Sequence, residues 1–226
     1  MAQTEQKNQN VKKQFEELQS LLERAMALQT SMVLFEWDDE TLAPKGAAEH
    51  TARVIGSLSE QYQEILASMR FKELLDACQK AEKENAGVFD EVQSAILREA
   101  AEEQERLSCI PPEEYRAYAE LTARATGIWT RAREKNDFAS FAPVLKEIIS
   151  YQKKFAAYRA KPGQKLYDVM LDTYEKGFNM EMLDPFFELM KGKIVPLLKE
   201  SAERSKTVPD AFLSADYPET AQAEAA

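Results

Sequence analysis

The chain has 226 residues, 44% hydrophobic and 30% charged, enough for one large or two small domains with a real core. With 29 Lys and Arg against 39 Asp and Glu, its formal net charge is −10. That sign argues against nucleic acid as a partner, since duplex binding rests on cationic side chains; no apolar run approaches the roughly 20 residues a bilayer needs, so no membrane partner is expected.

Only 7 glycines interrupt long stretches rich in Ala, Glu, Leu, Lys and Gln, a composition that predicts helix nearly throughout. No segment sustains the alternation of a half-buried strand. Residues 1–10 are polar, without the apolar stretch of a signal peptide. Cys78 and Cys109 have no metal-ligand spacing and read as reduced thiols of a cytoplasmic protein, a disulfide between them remaining open.

Val11, Phe15, Leu18, Leu22 and Ala25 recur at helical spacing and predict a first helix over about 8–37, buried along much of its length. Pro44 stops it, Gly46 gives a free turn, and Glu49 suits the first turn of the next helix. Ile55, Leu58, Tyr62, Ile65 and Leu66 mark that second helix, with a break expected near Arg70 before a shorter one through Leu74 and Cys78. Asn85-Ala86-Gly87 is a turn, and helix resumes over 88–107. Its apolar stripe fades into the charge run 98–106, expected as a solvated face.

Pro111-Pro112 and Glu113-Glu114 open a helix carrying Tyr115, Tyr118, Leu121 and Trp129, which closes at Asn136-Asp137. A helix over 138–159, the turn Lys161-Pro162-Gly163 and a short helix over 166–174 follow. Gly177 stops the short one and Asn179 caps the last, where Pro196 predicts a kink or break. The helical domain is thus expected over 1–204, with 205–226 a poorly ordered or truncated tail.

The chemical inventory is thin. His50 is the single histidine, so neither a His-Glu-x-x-His zinc helix nor a di-iron bundle can be built. Nucleophilic triads lack a base, and phosphate-binding glycine loops are missing. Asp38-Asp39-Glu40 offers carboxylates to a cation, but calcium loops space theirs alternately around a glycine; a solvated acidic turn with Trp37 in the core is favoured. Asp168, Asp172 and Glu175 fall on one helix face, expected to be solvated or paired with neighbouring bases. From residues alone this is an all-α protein of open role.

Four ordered blocks take it further. Trp37-Asp38-x-Glu40-Thr41-x-x-Pro44-x-Gly46, with Gly56-x-Leu58-Ser59 after it, resembles the N-terminal signature of the thermostable carboxypeptidase Taq family, with Asp39 in place of the common glutamine. Trp129-x-x-Ala132-Arg133-x-x-Asn136-Asp137-Phe138-x-x-Phe141-x-Pro143-x-Leu145 is similar to its middle segment. Tyr167-Asp168-x-x-Leu171-Asp172-x-Tyr174-Glu175-x-Gly177 resembles a third block, Lys176 replacing proline, and Asp184-x-x-Phe187 with Val195-Pro196-Leu197 resembles the helix that follows.

The resemblance implies an antiparallel multi-helix array, the N-terminal part of a cleft-forming metallopeptidase, with a homodimer and zinc or cobalt in the full-length enzyme. It also implies that the two histidines, the glutamate ligand and the general base lie in the family's C-terminal half, so no catalytic, cofactor-binding or metal-binding residue is carried over to this chain. Trp37, Asp38, Glu40, Tyr167, Asp168 and Glu175 are expected as helix-to-helix scaffolding ahead of cleft wall. On this basis the chain reads as an N-terminal fragment of a metal-dependent carboxypeptidase, inactive alone, with peptide substrate bound only by the full-length enzyme. The alternative is a non-catalytic helical interaction protein derived from that fold.

Overall fold

The computed structural model describes residues 2–44, 46–205, 209, 211–216 and 218–225. Among them the chain is almost entirely α-helical, with no strand. It divides into two compact units, 1–166 and 167–226.

The first unit contains α1 (Ala2–Thr41), α2 (Ala48–Ala67), α3 (Met69–Glu84), α4 (Glu91–Ser108), α5 (Pro112–Glu134) and α6 (Phe138–Arg159). α2 lies between α1 and α5, α6 continues from α5, and α3 and α4 close on α1 and α2. The short connections between helices that pack together make neighbours run antiparallel.

The core is built from the spacing visible in the sequence. Val11, Phe15, Leu18 and Ala25 of α1 meet Leu66 of α2, Phe71, Leu74, Leu75 and Cys78 of α3, and Leu97, Ala100 and Leu107 of α4. Phe15 and Phe89 set their ring centroids 5.1 Å apart. Full burial of such side chains contributes about 1.5–3 kcal/mol each, the main term holding this unit together.

Breaker chemistry explains the boundaries. The break expected near Arg70 falls at Ser68, whose hydroxyl donates to Ile65 O at 2.8 Å and accepts from Phe71 N at 3.1 Å. It closes one helix and opens the next. Asp90 and Gln93 form a reciprocal capping box at the start of α4, so Val88 and Phe89 enter the core from the turn rather than from the helix. Pro112 occupies the first turn of α5, and Asp137 accepts from Ser140 N at 3.2 Å to cap α6.

Two expectations for α1 need correction. It runs over Ala2–Thr41, longer at both ends than 8–37. At about 1.5 Å per residue it is ~60 Å long, far longer than its partners. Its last turns are not buried either: Val33, Leu34 and Phe35 are exposed, and Trp37 is 56% exposed rather than in the core. The charge run of α4 keeps its expected solvated face at Arg98, Glu99, Glu102, Glu105 and Arg106, but Ala100 is buried and Glu103 accepts from the Tyr62 hydroxyl at 3.0 Å.

The second unit holds α7 (Leu166–Tyr174), which begins at the boundary, α8 (Met180–Ser205) and α9 (Glu219–Ala225). α8 continues as helix through Pro185 and Pro196, so of the kink or break expected at Pro196 the break does not occur. Of the segment expected as a tail, 211–214 forms a 3-10 turn and 219–225 a helix; residues 206–208, 210, 217 and 226 lie outside the described residues.

Candidate functional site

A polar cluster in the first unit joins α2, α4, α5 and α6. Tyr62 donates to Glu103, which also pairs with Arg106. Gln63 is fully buried, and its amide nitrogen donates to Leu107 O at 3.1 Å and Ile110 O at 2.6 Å. These carbonyls lie where α4 ends; Leu107 O also accepts from Ile110 N at 3.1 Å, so the Gln63 amide joins the turn that closes the helix. The Arg159 guanidinium donates to Arg106 O at 3.2 Å, placing positive charge at the same helix end.

Burial sets the proton affinities here. It pushes the Tyr62 phenol well above its ordinary range, with Glu103 adding to the effect, and raises Tyr115 in the same way. Burial also draws Arg159 downward, and neighbouring Arg106 adds to that shift. A phenol held neutral so far above 7 is no general base at physiological pH. The cluster fastens the end of α4 to its neighbours.

A groove of about 530 Å³ opens beside α1, lined by Lys12, Glu16, Gln19, Asp90 and Gln93 over Phe15 and Phe89. It contains no histidine or cysteine, and its charges are single groups of mixed sign. Nothing in it combines a nucleophile with a base.

The family-like residues fall mostly on the outside. Trp37 and Asp38 occupy the last turns of α1, where Asp38 O accepts from Leu42 N and Ala43 N, and the Thr41 hydroxyl donates to Trp37 O at 2.6 Å. Their side chains, like that of Glu40, face solvent in this chain. Trp37 thus makes no helix-to-helix core, contrary to the scaffolding expectation. Trp129 is also exposed, with the Arg133 guanidinium 5.3 Å from its ring centroid. His50 is exposed on α2.

Within the second unit Asp172 and Glu175 of the acidic row are solvated as expected, and two of its carboxylates also take backbone partners. Asp168 accepts from Met180 N at 2.8 Å, and Asp172 accepts from Gly177 N at 2.8 Å. Gly177 has φ 81, a conformation that favours glycine. Asn179 accepts from Met182 N at 3.0 Å, the expected cap of α8. Asp168 and Asp172 are therefore scaffolding in the strict sense: they fold the turn from α7 into α8. Tyr167 and Tyr174 of the same block are exposed. Sequence spacing placed both carboxylates on one face but did not reveal their backbone partners, the amides of Gly177 and Met180.

Cys78 and Cys109 are free thiols, Cys78 buried and Cys109 half-buried. Among the described residues no group of three or more His, Cys, Asp or Glu side chains gathers as a metal site. The residues described here do not fit a catalytic zinc, which takes three protein ligands and a water. Nor is any helix among the described residues long and apolar enough to cross a membrane.

Comparison with known proteins defines the class. Residues 17–226 match the family model described as carboxypeptidase Taq (M32) metallopeptidase. Carboxypeptidase 1 of Bacillus subtilis (strain 168) is 32% identical over 204 residues, covering 90% of this chain and 40% of its own length. Thermostable carboxypeptidase 1 of Thermus thermophilus is 29% identical over 215 residues, covering 90% and 42%. Among solved structures, the BsuCP crystal structure matches with a TM-score of 0.87 at 30% identity, over 94% of this chain and 42% of that one. Trypanosoma cruzi metallocarboxypeptidase 1 gives 0.69 at 26% identity, over 92% and 40%. The class is an all-α metallopeptidase fold. The chain belongs to the carboxypeptidase Taq (M32) family, and it spans about two fifths of the length of the curated relatives it matches.

Proposed function

We propose that these residues are the N-terminal helical part of a metal-dependent carboxypeptidase that removes C-terminal residues from peptides, and that they do not catalyse by themselves. The observation that supports this is the pairing of a family match over 17–226 with coverage of only 40% of the relative's length. The single histidine of the sequence is consistent with it, because a His-Glu-x-x-His helix needs two. In this reading the metal, zinc or cobalt, would be held by the remaining part of the fold and would supply Lewis-acid chemistry for peptide hydrolysis there. Residues 1–204 supply helical structure, and exposed Trp37 is cleft wall. We also assign a cytoplasmic location, in keeping with two free thiols, and the homodimer that the family resemblance implies.

The exposed apolar side chains of α1 and α8 favour one second reading, a helical interaction protein that kept the fold without the chemistry. Assay of a blocked dipeptide with added zinc or cobalt separates these from a complete enzyme. The purified chain should show no turnover and no stoichiometric metal. Fusion to the unmatched part of the B. subtilis carboxypeptidase should give chelator-sensitive hydrolysis, and an inert, well-folded fusion would favour the interaction protein.

A further inference from the structure

We infer that the apolar face of α8 is the docking surface for the remainder of the metallopeptidase fold, the part absent from the matched region. The inference rests on the functional reading above and names its partner. α8 has 26 residues and none is buried. Phe186, Phe187, Leu189, Ile194, Leu197 and Leu198 are between 38% and 63% exposed. Met182, Phe186, Met190, Ile194 and Leu197 follow one another at intervals of four, four, four and three, which puts them on one side of a helix. A single exposed leucine needs no explanation, but a stripe running the length of a helix does.

A membrane, a second copy of this chain and the remainder of the fold can each cover such a face, and two observations favour the last. Helices that lie on membranes carry a basic polar face. α8 has five acids (Glu181, Asp184, Glu188, Glu200, Glu203) against four bases (Lys191, Lys193, Lys199, Arg204), and two of those bases pair with acids of the same helix. The BsuCP structure matches 94% of this chain, yet that match is only 42% of BsuCP. More than half of the shared fold thus lies outside the matched region, and it is the partner for which this stripe is built. The same surface serves whether that remainder is joined to this chain or separate from it.

The test co-expresses the full chain with the C-terminal part of the B. subtilis carboxypeptidase that it does not match. Affinity purification and light scattering should recover a one-to-one complex. Phe186→Asp and Leu197→Asp, each checked for unchanged helicity by circular dichroism, should weaken it about thirtyfold or more, as loss of a buried anchor does. Asp184→Lys, on the opposite side of α8, should not. The inference is overturned if the complex forms and ignores both apolar variants. It is equally overturned if no complex forms, including cases where the chain instead self-associates through α8 or binds anionic vesicles. A complex weakened by the α8 variants but inert with zinc or cobalt would overturn the functional reading and leave the surface intact. An active complex indifferent to them would do the reverse.

Discussion

Gly56 shows how one residue sets a helix contact. A Cβ built there falls on the Glu120 side chain of α5, at its Cγ. The vacancy lets Glu120 lie across α2 and accept from Arg116 Nε at 3.0 Å, while the same guanidinium reaches Glu60 at 2.9 Å. Gly56→Ala should gain helix propensity of about 1 kcal/mol yet lose more by overpacking, about 1–3 kcal/mol. Urea denaturation would therefore show net destabilisation. Glu120→Ala in the same chain should restore stability, since it removes the group the methyl strikes; destabilisations that simply add would refute the close contact.

The buried thiol gives a pH signature at the same scale. Burial pushes Cys78 from an ordinary 9.0 up to about 11. In the unfolded chain the thiol ionises first, so its contribution is fully present below pH 9 and is lost as pH rises toward 11. Tyr62 and Tyr115, raised for the same reason, extend the loss to higher pH. Cys78→Ala should start less stable, by the cavity it leaves, but lose less stability between pH 9 and 11. Parallel curves for the two chains would contradict this.

Among elements, the α7–α8 connection shows what was legible and what was not. Gly177 as a stop and Asn179 as a cap were readable because each acts on backbone a few residues away. The same holds for Pro112, and for a break that resolves into Ser68. Asp168→Ala should free Met180 N and loosen the start of α8 by about 1 kcal/mol, the usual worth of a lost cap. Hydrogen exchange at Met180 and Met182 should quicken while the amides of α3 stay protected; unchanged exchange at Met180 would show that the carboxylate does not hold the turn.

Contacts distant in sequence were not legible. Glu103 lies in what reads as a solvated charge run, and its partner Tyr62 is 41 positions away. The end of α1 misled for another reason. Periodicity identifies an apolar face but not whether its partner belongs to these 226 residues, and Val33, Leu34, Phe35 and Trp37 find none among those described. Trp37 and Trp129 should accordingly emit at long wavelength and be quenched readily by acrylamide in the native chain. Blue-shifted, protected emission would place them in a core.

For the molecule as a whole, family and fold were readable because motifs in four separate blocks keep their order and the helical punctuation is clear. Activity is a different matter, since a zinc peptidase site needs ligands converging from well-placed helices and a base beside them. Those described here converge on a helix end, a turn and a mixed-charge groove. Hydrolysis of a blocked dipeptide by the purified chain, with added zinc or cobalt and with metal content determined alongside, tests the central claim most directly. The account predicts no turnover and no stoichiometric metal. Turnover that survives purification and is abolished by a chelator would contradict it, and would mean that His50 and carboxylates of this chain assemble a working metal centre.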